Sequence, residues 1–143
     1  MGLLDRWRKH AEPPQPVTLP GGQRVDAVGE ASYQDALAHV CGGKCESGHD
    51  LPVVATLELE PTNKFDPNAV MVRVKGMRVG YLCRRDAVAY GPVLRQTSGG
   101  AMVNARIVGG WDRGLGDEGW FGIWLDLAPP VDCLSPACEA DND

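Results

Sequence analysis

A phenylalanine and an aspartate stand side by side in a segment built to hold them still. Lys64-Phe65-Asp66-Pro67-Asn68 follows an alternating run, Leu57-Glu58-Leu59-Glu60, that Pro61 ends because proline has no N–H for a sheet ladder. Pro67 confines Asp66 to extended geometry, and the side chains of Asp66 and Asn68 can each bond nearby backbone, which makes a rigid loop. The face of an aromatic ring stacks on any nucleic-acid base and basic groups such as Lys64 track phosphates, the combination by which small barrels hold single strands. An ionised carboxylate accepts hydrogen bonds without donating them, so Asp66 suits a hydroxyl and repels a phosphate. The same residues allow a plainer arrangement, with Phe65 packed inward and Asp66 serving only the turn.

Other reactive residue types are sparser. His39, Cys41, Cys45 and His49 are zinc-type ligands within one short segment, and Cys133 and Cys138 lie near the carboxyl end. Zinc sites usually take ligand pairs roughly two to four residues apart, with the two pairs well separated. Cys41 and Cys45 meet the spacing while the histidines only bracket them, so no metal site is expected. Asp66 and Asn68 offer too few oxygens for a dedicated divalent-cation site. There is no phosphate-cradling glycine loop with Lys and Ser/Thr, no nucleophile elbow and no repeated acidic set of the nuclease kind. The expectation is therefore a binding protein without a cofactor, not an enzyme.

The elements that must position these groups read as short strands with two helices inserted. Gln23 to Val28 forms a first strand, ended by Gly29, whose freedom suits a tight turn or a close ligand. Tyr33, Ala36, Leu37 and Val40 fall at helical spacing, with Ser32 as the cap and Gly42-Gly43 as the stop. Leu51 to Glu60 is a second strand; Ala69 to Val74 and Met77 to Leu82 make a hairpin around Lys75-Gly76. Arg84 to Leu94 has a helical period, weakened near its end by Gly91-Pro92. Ala101, Val103, Ala105 and Ile107 alternate with Met102, Asn104 and Arg106 as a fifth strand, and Trp120 to Leu127 makes a sixth. In that last strand Phe121, Ile123, Leu125 and Leu127 share one face, which sends Trp120 and Trp124 to the other. These indoles either cover a helix against the barrel or form a stacking or partner surface. The fold class expected is mainly β with inserted α: a small, partly open barrel of the oligonucleotide-binding kind, of about six strands and two short helices.

The stretch from Glu60 to Leu82 resembles the HIRAN domain, a small barrel found at the front of DNA-repair helicases and as short free-standing bacterial proteins. The family's pattern runs E-x-x-N-x-(aromatic)-D-x-N-A-(aliphatic), then a short strand, then G-(Tyr/His)-L and a helix. Here those positions are Glu60, Asn63, Phe65, Asp66, Asn68, Ala69, Val70, Gly80, Tyr81 and Leu82, and a strand ending in Gly29 followed by Tyr33 also fits. The resemblance implies a pocket for the free 3′ end of single-stranded DNA, with Phe65 stacked on the terminal base or sugar and Asp66 accepting from the 3′-hydroxyl. The nucleic-acid-binding residues it implies are Tyr33, Lys64, Phe65, Asp66, Asn68, Tyr81, Arg84, Arg85 and, after the fifth strand, Trp111. After Gly29, DNA-binding members carry a basic residue and an extra aromatic where this chain has Ala31 and Ser32, and Phe65 replaces a more usual tyrosine. Lys64, Arg84 and Arg85 are the cations available to replace the lost charge.

Charge is segregated along the chain. Val25 to Glu60 carries −6, Pro61 to Gly110 carries +6, and Val131 to Asp143 has four acids (Asp132, Glu139, Asp141, Asp143) and no base, within an overall −5. Either the basic half presents a local field to a polyanion, or folding interleaves the halves and cancels it. The domain reading is a basic amphipathic start and Pro-rich linker over 1–22, a HIRAN-like barrel over 23–130 and an acidic disordered tail over 131–143. No apolar run approaches the ~20 residues of a membrane span and the amino terminus lacks a signal-peptide core, so a cytoplasmic location with reduced cysteines is expected. The function expected is recognition of single-stranded DNA or its 3′ end in DNA repair or processing, with a helicase or nuclease as protein partner and no membrane. A protein-interaction module with a vestigial DNA pocket is the alternative, and an accessory to a metal-dependent hydrolase or nuclease is the third.

Overall fold

The computed structural model describes residues 17–97 and 100–133. The basic start, most of the Pro-rich linker and the acidic stretch beyond 133 lie outside the described residues. Seven strands follow in chain order: β1 Val17–Thr18, β2 Arg24–Val28, β3 His49–Leu59, β4 Val70–Val74, β5 Met77–Leu82, β6 Ala101–Gly109 and β7 Phe121–Asp126. Three helices accompany them: α1 Gln34–Cys41, α2 Arg84–Arg95 and the single turn α3 Pro130–Cys133.

Strands β6-β3-β4-β5-β2-β7 pair antiparallel in that order, and β7 pairs again with β6 from Asn104↔Asp126 to Gly109↔Phe121. This last ladder closes the barrel and leaves its six strands without a free edge. The period-2 pattern predicts the inward residues well. Val25 and Ala27 of β2, Ala55 and Leu57 of β3, Ala101, Val103, Ala105 and Ile107 of β6, and Phe121, Ile123 and Leu125 of β7 are buried together. Lys75 (φ 51°) and Gly76 (φ 78°) both take left-handed backbone, the two-residue turn whose twist matches a hairpin.

Both barrel helices bury one face. Leu37 of α1 is fully covered where the helix meets β5 and β7, and Ala87, Tyr90, Val93 and Leu94 of α2 join the core. The Tyr90 hydroxyl donates to the Ala128 carbonyl at 2.8 Å and ties α2 to the chain after β7. Pro92 sits inside α2, exposed and in its last turn, without ending the helix before Arg95.

Three local expectations change. Ser32 does not cap α1: Glu30–Tyr33 form a 3-10 turn opened by Gly29 (φ 78°), and Tyr33 occupies the cap position with no side-chain cap bond. Gln34 supplies the anchor, its Nε2 donating to Phe121 O at 2.8 Å and its Oε1 accepting from Phe121 N–H at 2.8 Å. Val17–Thr18, within the stretch read as linker, lie parallel to Ala101–Met102 on β6, and Leu19 is buried beside them. The stretch read as a tail from 131 begins instead with the turn of α3, where the Cys133 thiol donates to Ala128 O. No helix among the described residues is long and apolar enough to cross a membrane.

Candidate functional site

The loop between β3 and β4 is closed at its neck by Glu60 N–H donating to Ala69 O at 2.9 Å. Inside it Asn63 is the hub. Its Oδ1 accepts from the backbone N–H of Phe65 (2.9 Å) and Asp66 (3.0 Å), and its Nδ2 donates to Glu60 Oε1 at 2.7 Å. Asp66 continues the pattern, with Oδ1 accepting from Asn68 N–H at 2.9 Å. Both are side-chain-to-backbone turns of the kind short polar side chains favour. The result is a braced loop whose one large apolar side chain points out: Phe65 is 88% exposed. The inward arrangement of Phe65 is thereby excluded.

Glu60 links this loop to the barrel wall. Besides Asn63 it accepts from the Tyr81 hydroxyl (3.0 and 3.2 Å to its two oxygens) and pairs with Arg78 Nη2 at 3.3 Å. The Arg78 guanidinium lies 5.8 Å from the Tyr81 ring centroid, a cation–π distance, and the Tyr33 and Tyr81 rings tilt together at 6.4 Å. Burial foremost, then the bond to Glu60, pushes the Tyr81 phenol up to about 12, so it remains a neutral donor. The Arg78 guanidinium is raised as well, by the Tyr33 hydroxyl foremost and by the nearby Tyr81 and Glu60. Glu60, Tyr81, Arg78 and Asn63 thus form a charge-assisted network.

Between loop and wall runs an open groove of about 570 Å³. Of the residues singled out from the sequence, Tyr33, Lys64, Phe65, Asp66, Tyr81 and Arg84 line it. Asn68 is exposed and does not line the groove, and Arg85 points to solvent with its side chain 89% exposed, 3.9 Å from Asp86. Trp111 does not reach the groove. The chain after β6 folds back on the segment before β3 through a Cys45↔Trp111 bridge, and the indole N–H donates to Asp117 at 3.2 Å with Arg113 stacked over the ring. Val28, Glu60, Asn63 and Arg78 also line the groove and were not among the expected site residues. Glu60 and Asn63 had a signal in the motif spacing. Arg78 had none, because its ion-pair partner Glu60 is 18 positions away and reaches it only through strand pairing.

Both electrostatic alternatives hold in part. Arg73 pairs with Glu58 (3.2 Å), Arg78 with Glu60 and Arg106 with Asp50 (2.9 Å), so strand pairing cancels much of the basic half against the acidic half. At the groove three cations, Lys64, Arg78 and Arg84, still face two carboxylates, Glu60 and Asp66. The aromatic rings supply apolar area next to that modest positive excess.

The outward tryptophans part company: Trp124 lies beneath the Arg24 guanidinium at 5.3 Å, while Trp120 is 68% exposed beside α1. Among the zinc-type ligands Cys45 and His49 approach each other at 3.7 Å, but no three His, Cys, Asp or Glu side chains among the described residues gather as a metal site. The fold and groove define a small closed β-barrel with an aromatic and basic cleft. Neither protein-family models nor curated proteins match the sequence, and no solved structure matches the fold.

Proposed function

We propose that this barrel is a nucleic-acid-binding module that takes the end of a single strand of DNA into the groove between the Glu60–Ala69 loop and β5, in DNA repair or processing. The observation that carries the reading is the exposed Phe65 ring, held by a braced loop over a groove that also contains Tyr33 and Tyr81. A single exposed phenylalanine is ordinary on a protein surface, but a ring pre-oriented by a braced loop beside cations and two further aromatic rings suits stacking on a base. Lys64 and Arg84 would meet phosphates, and the Asp66 carboxylate would accept from a terminal 3′-hydroxyl. The HIRAN-like spacing of Glu60, Asn63, Phe65, Asp66 and Asn68 supports the same assignment. A helicase or nuclease that generates or consumes such ends is the partner class this reading implies.

The test is binding of a labelled single strand over a salt series. With two or three groove cations on phosphates, the single-strand slope of log K against log salt is about −1.4 to −2.1. No binding at low salt would remove the proposal. The exposed Trp120 favours the second reading, a protein-interaction module, and that reading takes first place if DNA fails to bind.

A further inference from the structure

We infer that Cys45 is a reactive thiol, with His49 as its base, that forms a mixed disulfide with small disulfides reaching the surface. The pair lies apart from the groove. Cys45 opens a turn, Cys45 to Gly48, closed by Gly48 N–H donating to Cys45 O at 3.2 Å, and His49 begins β3 immediately after it. The turn brings Cys45 Sγ to 3.7 Å from His49 Nε2.

The imidazole is set for the role from its other side. His49 Nδ1 lies 3.1 Å from the Gly109 carbonyl, an oxygen that can only accept. The neutral ring must therefore carry its proton on Nδ1, which leaves the Nε2 lone pair toward the thiol. The buried Phe121 ring, 5.4 Å away, backs the imidazole, and the His49↔Gly109 register holds the carbonyl in place. A nucleophile, a base within reach and a third group orienting the base together make the pattern of an activated thiol. The Gly48 carbonyl, 3.2 Å from Sγ, can accept the S–H bond but cannot remove its proton; only the imidazole can.

Exposure completes the case. Cys45 is the exposed cysteine among the described residues, whereas Cys41 and Cys133 are partly covered and burial foremost raises both thiols. The step is a disulfide exchange. The Cys45 proton passes to His49 Nε2, the sulfur attacks one sulfur of the incoming disulfide, and the old S–S bond breaks. Its electron pair leaves on the second sulfur, which is then protonated by the imidazolium or water.

Peptide mapping of the full chain with glutathione disulfide, at neutral pH with a chelator present, reads each cysteine's rate separately. Cys45 is expected to react first of the described cysteines, and about tenfold or more faster in the folded protein than in the urea-unfolded chain. His49→Asn keeps a donor for Gly109 and removes the base, and should take most of that advantage away. If this variant does not fold, the wild-type comparison of folded with unfolded chain still decides. Equal rates in the two states, or an undiminished rate in folded His49→Asn, would overturn the inference.

Discussion

Replacing Phe65 by alanine separates a binding residue from a packing residue, because the two roles lead to different measurements. A phenylalanine side chain carries on the order of 200 Å² of surface. With 88% of Phe65 exposed, only about 25 Å² is hidden by the fold, worth roughly 0.6 kcal/mol at about 25 cal/mol per Å². Urea denaturation of Phe65→Ala should therefore shift the stability by well under 1 kcal/mol. If the ring stacks on a base, the same change costs about 1 to 3 kcal/mol of affinity, a roughly five- to 150-fold rise in Kd by fluorescence anisotropy with a short single strand. The backbone N–H groups of Phe65 and Asp66 still reach Asn63 in the variant, so the loop keeps its shape. A large loss of stability would mean that the ring is a core residue. Unchanged affinity in a folded variant would mean that the groove does not stack.

Other outcomes follow from the same geometry. Asn63→Ala removes the acceptor for two backbone N–H groups and the donor to Glu60; it should cost about 1 to 2 kcal/mol and speed amide exchange at Phe65 and Asp66, and unchanged exchange would show the loop is braced otherwise. Asp66→Asn keeps an acceptor but removes the negative charge, so discrimination between DNA ends should shrink more than overall affinity falls; an equal loss of both would assign Asp66 to loop shape alone. Tyr81 is raised from 10.0 to about 12, so its phenol form is favoured by folding: the contribution is complete below the ordinary tyrosine range and is lost as pH climbs through about 12. A phenolate absorbance titration should show a late component that Tyr81→Phe reduces, and an identical late component in the variant would contradict the burial and Glu60 bond as its cause.

Much of the barrel is legible in the chain because its information is local. Alternation such as Ala101, Val103, Ala105 and Ile107 names both the strand and its buried face, and Lys75-Gly76 names the hairpin turn. The 3-10 turn at Glu30–Tyr33 is not legible, since it depends on Gln34 clasping Phe121 from 87 positions away. Val17–Thr18 is hidden for a related reason: a two-residue strand between Pro16 and Pro20 has no period to show and exists through its pairing with β6. The candidate site divides the same way. The Phe65-Asp66 loop is specified by neighbours within a few residues, whereas the Glu60–Arg78–Tyr81 network requires β3 and β5 to be brought together by β4 between them. Trp111 is placed away from the groove by docking of its loop on Cys45, a contact that no local pattern announces.

The central claim is that the groove receives a strand end whose hydroxyl meets the Asp66 carboxylate. Its most direct test is the affinity of the unaltered protein, at low salt, for one single-stranded oligonucleotide prepared with a 3′-hydroxyl and again with a 3′-phosphate. The hydroxyl form should bind more tightly, because a carboxylate accepts from it and repels the phosphate. Equal binding of the two ends would contradict the claim.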